Sequence, residues 1–235
     1  MTTRLPPPPE ALPSLEAEDL TTLSPGTLLV RLHRLGPPHP MPADGLRTCG
    51  PHPERGRFDP HPPGLGPREH PGCGVAYLAT EDSTVTQSAL PTVDGVFAPR
   101  NALDVAVAEM AQTARTLVVD DGLWLSVLEL AAPLELLDIR SSWTQRTGAG
   151  LHLATAPHHR AQAWARAIRE AYPLLPGLLY PPSTGGRGTA VVLWQPAARA
   201  LEGAVLRLSR ATSDSALRGV LASATERVGC DLVHP

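Results

Sequence analysis

Apolar and polar residues alternate through Thr27-Leu-Leu-Val-Arg-Leu-His-Arg34, a period of two that predicts the first strand. Val75-Ala-Tyr-Leu-Ala79 is short and nearly all apolar, which predicts a buried strand. From Ala102 to Thr116 the spacing changes to three and four, the period of a helix, and Thr84 to Leu90 reads as the opening of another. Strand patterns return at Thr116–Asp120, Leu123–Leu130 and Leu134–Ile139, separated by Asp-Asp-Gly and Ala-Ala-Pro turns. His158–Ala171 is an amphipathic helix, with Trp164 and Ile168 four apart and Pro173 and Pro176 closing it. Leu178–Tyr180 and Thr189–Trp194 read as strands around a Ser-Thr-Gly-Gly loop, and the tail from Ala197 to about Val228 reads as largely helical.

Between these elements lie two stretches without a period. Residues 1–25 carry Pro6 to Pro9 and then Leu-Glu-Ala-Glu-Asp, a proline-rich arm leading into a short acidic helix or turn and expected to be a terminal linker. Gly36 to Gly74 is dense in proline, glycine and histidine, which defeats both helix and ladder hydrogen bonding. Long irregular loops inside compact domains are often functional, so a site is expected there. Several strands with few helices, not in regular alternation, predict an α+β fold. The expected organisation is the arm at 1–25, one domain over 26–196 and a helical extension over 197–235 packed back on it.

Composition narrows the function more than the fold. Apolar residues make up 42% of the 235 but aromatics only 4%, so leucine, valine and alanine must fill the core. A net charge of −3 lacks the basic field of non-specific nucleic-acid binding, and no direct nucleic-acid partner is expected. Arginine, not lysine, supplies the positive charge, and planar guanidinium suits a phosphate-bearing small ligand. No apolar run approaches the length of a membrane span, and Met1 to Glu10 lacks a signal-peptide apolar region, so no membrane partner and a cytoplasmic location are expected. Cys49, Cys73 and Cys230 are an odd number without an export signal, so reduced thiols are expected.

Of the motifs that carry chemistry, Cys49-Gly-Pro-His52 and His70-Pro-Gly-Cys73 are mirrored pairs with zinc-ligand spacing, which leaves open a zinc-stabilised interaction protein. Solvated loop residues are the commoner outcome of such a pattern, and no metal is expected. No Gly-x-Ser-x-Gly elbow, P-loop or Gly-x-Gly-x-x-Gly turn is present. There remains a set of polar residues beside strands: Arg31, the Arg55-Gly-Arg57-Phe-Asp59-Pro60 segment, Tyr77 and Ser183.

Taken in order, Leu29-Val-Arg-Leu-His-Arg34, Gly56-Arg-Phe-Asp-Pro60, Val75–Ala79, Leu134-Glu-Leu-Leu-Asp138, Ala161-Gln-Ala-Trp-Ala165 and Gly177-Leu-Leu-Tyr-Pro181 resemble the RES domain family. That family is the NAD+-consuming toxin half of bacterial toxin–antitoxin pairs, and the matching pieces span about 30 to 195. The resemblance implies an ADP-ribosyltransferase-like split sheet with flanking helices and NAD+ as substrate, cleaved at the nicotinamide–ribose bond. Water, phosphate or a protein would accept the product, and a helix-turn-helix antitoxin of Xre type would be the partner. It also implies that Arg31 and Arg57 hold the pyrophosphate by charge-assisted hydrogen bonds and that Tyr77 lies near the nicotinamide ribose. Where the family has a glutamate, this chain has Thr84-Val-Thr-Gln-Ser88, so Gln87 or Ser88 stands at that position, neither carrying its charge, and Gln87 is the catalytic candidate. Ser183 of Tyr180-Pro-Pro-Ser183 is the matching serine, shifted by one. Glu81 or Glu109 is then the carboxylate to look for, and a catalytically silent NAD-binding or partner-binding module is the alternative.

Overall fold

The computed structural model describes residues 5–36, 40–52, 56–64, 66–81, 99–111, 114–150, 152–182 and 187–234. Its strands are β1 (Leu20–Leu23), β2 (Leu28–Arg34), β3 (Cys49–Gly50), β4 (Arg68–Glu69), β5 (Val75–Glu81), β6 (Thr116–Val118), β7 (Leu123–Glu129), β8 (Leu134–Asp138), β9 (Gly177–Tyr180), β10 (Gly188–Trp194), β11 (Val205–Ala211) and β12 (Asp231–Val233). The helices are α1 (Arg100–Ala111), α2 (Trp143–Arg146), α3 (His152–Thr155), α4 (His158–Ala171), α5 (Ala198–Glu202) and α6 (Arg218–Val228). Eight strands form one sheet in the order β1-β8-β9-β10-β5-β2-β7-β11, while β12 pairs with β6 and β3 with β4. This is the expected α+β architecture, with long-range antiparallel pairing in place of a repeated crossover.

The sheet is strongly joined on both sides of one weak seam. β5 pairs with β10 from Gly188↔Glu81 to Trp194↔Val75, and β2 pairs with β7 from Leu28↔Glu129 to Arg34↔Leu123. Between β2 and β5 the pairing is confined to Val30↔Ala79. Beyond that point the two strands diverge, and Arg47 takes the place beside β5 through paired backbone hydrogen bonds with Val75. The sheet is thus split, as the family resemblance implies, and the irregular loop enters the split.

Side chains alternate across a strand, so each half of the sheet presents two faces. Val30, Leu32, Val75 and Ala79 lie in the larger apolar cluster with Trp143, Trp164 and α1, whereas Leu29, Ala76, Leu78 and Val191 lie in the smaller one. β10 is buried along its whole length, which is why its sequence is a continuous apolar run and not an alternation. α4 begins after Pro157 and ends before Pro173, and it turns Trp164, Ala165 and Ile168 into the larger cluster.

Two expectations are corrected. The tail is helical only in part: α5 and α6 flank a strand, for Val205–Ala211 crosses as β11 to pair with β7. Leu201, Val205 and Leu208 carry a spacing of four and three that suits a helix, but pairing with β7, far away in sequence, decides the outcome. Nor is the arm a linker. Leu5 is buried, Trp164 Nε1 donates to Pro6 O at 2.9 Å, Arg160 donates to Leu5 O and Tyr172 to Pro13 O, and β1 extends the sheet beside β8.

Candidate functional site

The Gly-Arg-Phe-Asp-Pro segment folds into a tight turn in which Asp59 N–H donates to Gly56 O at 3.1 Å. Gly56 has φ +68°, and a Cβ there would collide with the Asp59 carboxylate, so the turn requires glycine. Everything around the turn fixes it. Phe58 is fully buried, edge-on to Tyr180 with ring centroids 4.8 Å apart, and its carbonyl accepts from Trp194 Nε1 at 3.1 Å. Tyr77 Oη accepts from Phe58 N–H at 2.9 Å and donates to Asp59 Oδ1 at 2.9 Å. Gln162 of α4 donates to His52 O and Gly56 O.

Asp59 is the anchor. It is buried and held by Arg47 at 2.6 Å, with His61 Nδ1 at 3.7 Å. Burial pushes its carboxyl above the usual carboxylate range, against the pull of Arg47 and Tyr77. Burial, reinforced by Asp59, pushes the Tyr77 phenol well above its ordinary value, so that phenol stays protonated and remains a donor. Burial beside Arg47 lowers His61 to about 4, which leaves it neutral at pH 7.

Arg57 is what this rigid turn presents. Its guanidinium donates to Ala156 O, while its Nε is buried without a hydrogen-bond partner among the described residues. An unmatched buried N–H on the guanidinium of a half-buried arginine costs more than a neutral one and is a ready donor to an anion. Tyr180 lies close enough for Arg57 to act on its phenol, and Tyr180 Oη donates to Glu109 Oε2 of α1 at 3.5 Å. Burial, then Glu109, pushes the Tyr180 phenol well above its ordinary value. Arginine, two protonated phenols and a carboxylate therefore gather on the face toward α1. Glu81, the other carboxylate considered, instead accepts from Asn101 N–H and Asn101 Nδ2 at the start of α1.

Arg31 is elsewhere. It alternates with Val30 and Leu32 and so points to the opposite face of β2, where Nη1 donates to Pro42 O, Ala43 O and Gly45 O and Nη2 to Met41 Sδ. Burial lowers its pKa to about 10, and it stays charged at pH 7. The structure thus brings Arg57 and Tyr77 together and separates Arg31 from both. Gln87 and Ser183 lie outside the described residues. Cys49, His52, His70 and Cys73 do not assemble: among the described residues no group of three or more His, Cys, Asp or Glu is placed to hold a metal ion. Nor, among those residues, is any helix long and apolar enough to cross a membrane. Tyr180 and Asp59 were present in the quoted motifs, but nothing local in sequence tells that one meets Glu109 and the other Tyr77 and Arg47.

No curated protein matches the sequence. A solved structure, the crystal structure of the M. tuberculosis MbcT-MbcA toxin-antitoxin complex, is similar at 18% identity and a TM-score of 0.46, covering 81% of this chain and 86% of that one. The family model described as RES domain matches residues 101–211, from α1 through β11. Over that stretch, a little under half of its length, the chain is similar to the RES domain family.

Proposed function

We propose that the chain is a RES-type enzyme that binds NAD+ on the Arg57 face of the split sheet and cleaves its nicotinamide–ribose bond. The observation that carries this reading is the unpartnered buried Nε of Arg57, held on a turn locked by Tyr77, Gln162 and Trp194. A pyrophosphate oxygen supplies the acceptor that this N–H lacks, and the fixed turn removes the entropy of placing it. Glu109 supplies the negative charge that this chain does not carry at Gln87. As the C–N bond breaks, its electron pair leaves with nicotinamide and the ribose carbon gains positive charge, which a nearby carboxylate stabilises. The acceptor, whether water, phosphate or a protein hydroxyl, forms the new C–O bond and gives up its proton. Gln87 and Ser183 keep the catalytic roles that the family resemblance implies, while Tyr77 acts through the turn. Arg31 serves the loop and not the ligand.

In this reading the protein acts in the bacterial cytoplasm as a growth-inhibiting toxin, held in check by a helix-turn-helix antitoxin of Xre type that covers the cleft. Incubation of purified protein with NAD+, with and without phosphate, tests it by chromatography. Loss of NAD+ with release of nicotinamide, reduced about 100-fold or more by Glu109→Gln while NAD+ binding is retained, is the expected result. Binding without any turnover would favour the silent module on the same fold. Neither binding nor turnover would overturn the reading.

A further inference from the structure

The face of the sheet opposite Arg57 carries a second chain of polar groups that the reading above does not use. His33 Nδ1 lies 2.7 Å from Met41 O, and its Nε2 lies 2.8 Å from Ser126 Oγ. Ser126 Oγ lies 2.9 Å from Ser209 Oγ. His33 and Ser126 are fully buried, whereas Ser209 is half-buried and lines a surface cleft with Trp124, Arg207, Arg210 and Asp214.

The directions of these bonds follow from donor counting. A carbonyl only accepts, so His33 Nδ1 carries the ring hydrogen and donates to Met41 O. The neutral ring then has one acceptor, Nε2, and Ser126 must donate to it. Ser126 has a single hydrogen, so the remaining bond runs from Ser209 to Ser126. The Ser209 hydroxyl therefore points its proton inward, and its oxygen lone pairs are left for the cleft. Burial, with Arg31 nearby, lowers His33 to about 4, which keeps the ring neutral at pH 7 as this pattern requires.

We propose that Ser209 is a nucleophile for activated esters, its proton drawn through Ser126 to His33, and that the cleft beside Trp124 is a second reactive site independent of NAD+. In the covalent step Ser209 Oγ bonds to the acyl carbon while its proton passes to Ser126 and that of Ser126 passes to His33 Nε2. The acyl–oxygen bond breaks, and the leaving group departs with the bonding pair as its anion. The products are acyl-Ser209, the free phenolate or equivalent anion, and protonated His33. Because His33 is a weak base, the site takes esters whose leaving group needs no proton, such as aryl esters. Trp124 offers a flat surface to the aryl group. Arg207, held by Glu129 at 2.7 Å, and Arg210, held by Asp214 at 2.5 Å, line the same cleft and are the donors available to the acyl oxygen as it becomes negative.

The test uses p-nitrophenyl acetate with the whole chain, following p-nitrophenolate release and mapping acetylated residues by mass spectrometry. The expected result is a burst with acetyl on Ser209, abolished by Ser209→Ala and slowed about 100-fold by Ser126→Ala. Ser126→Thr, which keeps the hydroxyl, restores labelling and separates loss of the proton path from loss of fold. Ser213, a hydroxyl in the same cleft bound to Asp121 at 2.5 Å, serves as the internal reference. Equal acetylation of Ser209 and Ser213, no acetylation of Ser209, or labelling of Ser209 unchanged by Ser126→Ala would each overturn the proposal.

Discussion

Arg31 and Arg57 sit on opposite faces of one split sheet and are held in opposite ways. Arg31 directs its guanidinium at three backbone carbonyls and a thioether of the loop that enters the split. Arg57 has one carbonyl partner and a buried Nε with none among the described residues. The first arrangement is how a chain fastens a segment too rich in proline and glycine to hold itself by ladder hydrogen bonds. The second leaves a charged donor unsatisfied, which a fold tolerates where a ligand completes it. In the function proposed above, the same residue type thus serves architecture on one face and chemistry on the other.

The largest effect expected from this contrast is on stability. Arg31→Ala leaves the carbonyls of Pro42, Ala43 and Gly45 without their buried donor, and should destabilise the fold by about 3–5 kcal/mol, lowering the melting temperature on the order of 10 °C. An unchanged melting temperature would break the comparison. Acid should come next, through one histidine on each face. His33 and His61 are both lowered from 6.5 to about 4 in the folded chain, so between those values the unfolded chain takes up protons that the folded chain refuses. Their contribution is complete above about pH 6.5 and is lost as pH falls toward 4, by at most about 3 kcal/mol each. Asp59, raised by burial, opposes this at the acid end because there the folded chain holds the proton longer. Denaturant titration from pH 7 to 4 checks the slope, and His33→Gln and His61→Gln should each flatten it.

Tyr77→Phe removes the hydroxyl that joins Phe58 N–H to Asp59 and should destabilise by about 1–3 kcal/mol while loosening the Arg57 turn. Its proposed effect on NAD+ turnover should therefore be indirect, and recovered in part on cooling. The smallest stability effect is expected for Arg57→Ala, less than about 1 kcal/mol, because it also removes an unsatisfied buried donor.

Much of this was legible in the sequence where the physics is local. α4 is bounded by prolines and carries an unbroken apolar stripe, so its pattern predicts it to the residue. The Gly-Arg-Phe-Asp-Pro turn is likewise marked, because positive φ at Gly56 and the Asp59 contact belong to one short segment. What was not legible depends on partners distant in the chain. β11 carries a spacing equally good for a helix, and pairing with β7 makes it a strand. The arm looks like a linker until Trp164, Arg160 and Tyr172 bind its carbonyls. Arg31 and Arg57 are alike as letters, and strand alternation combined with the course of residues 41–45 is what separates their roles.

The most direct test pairs NAD+ turnover with thermal melting in Arg57→Ala. We predict turnover reduced about 100-fold or more with the melting temperature held within a few degrees. Turnover equal to that of the unmodified protein would contradict the assignment of Arg57 to the ligand.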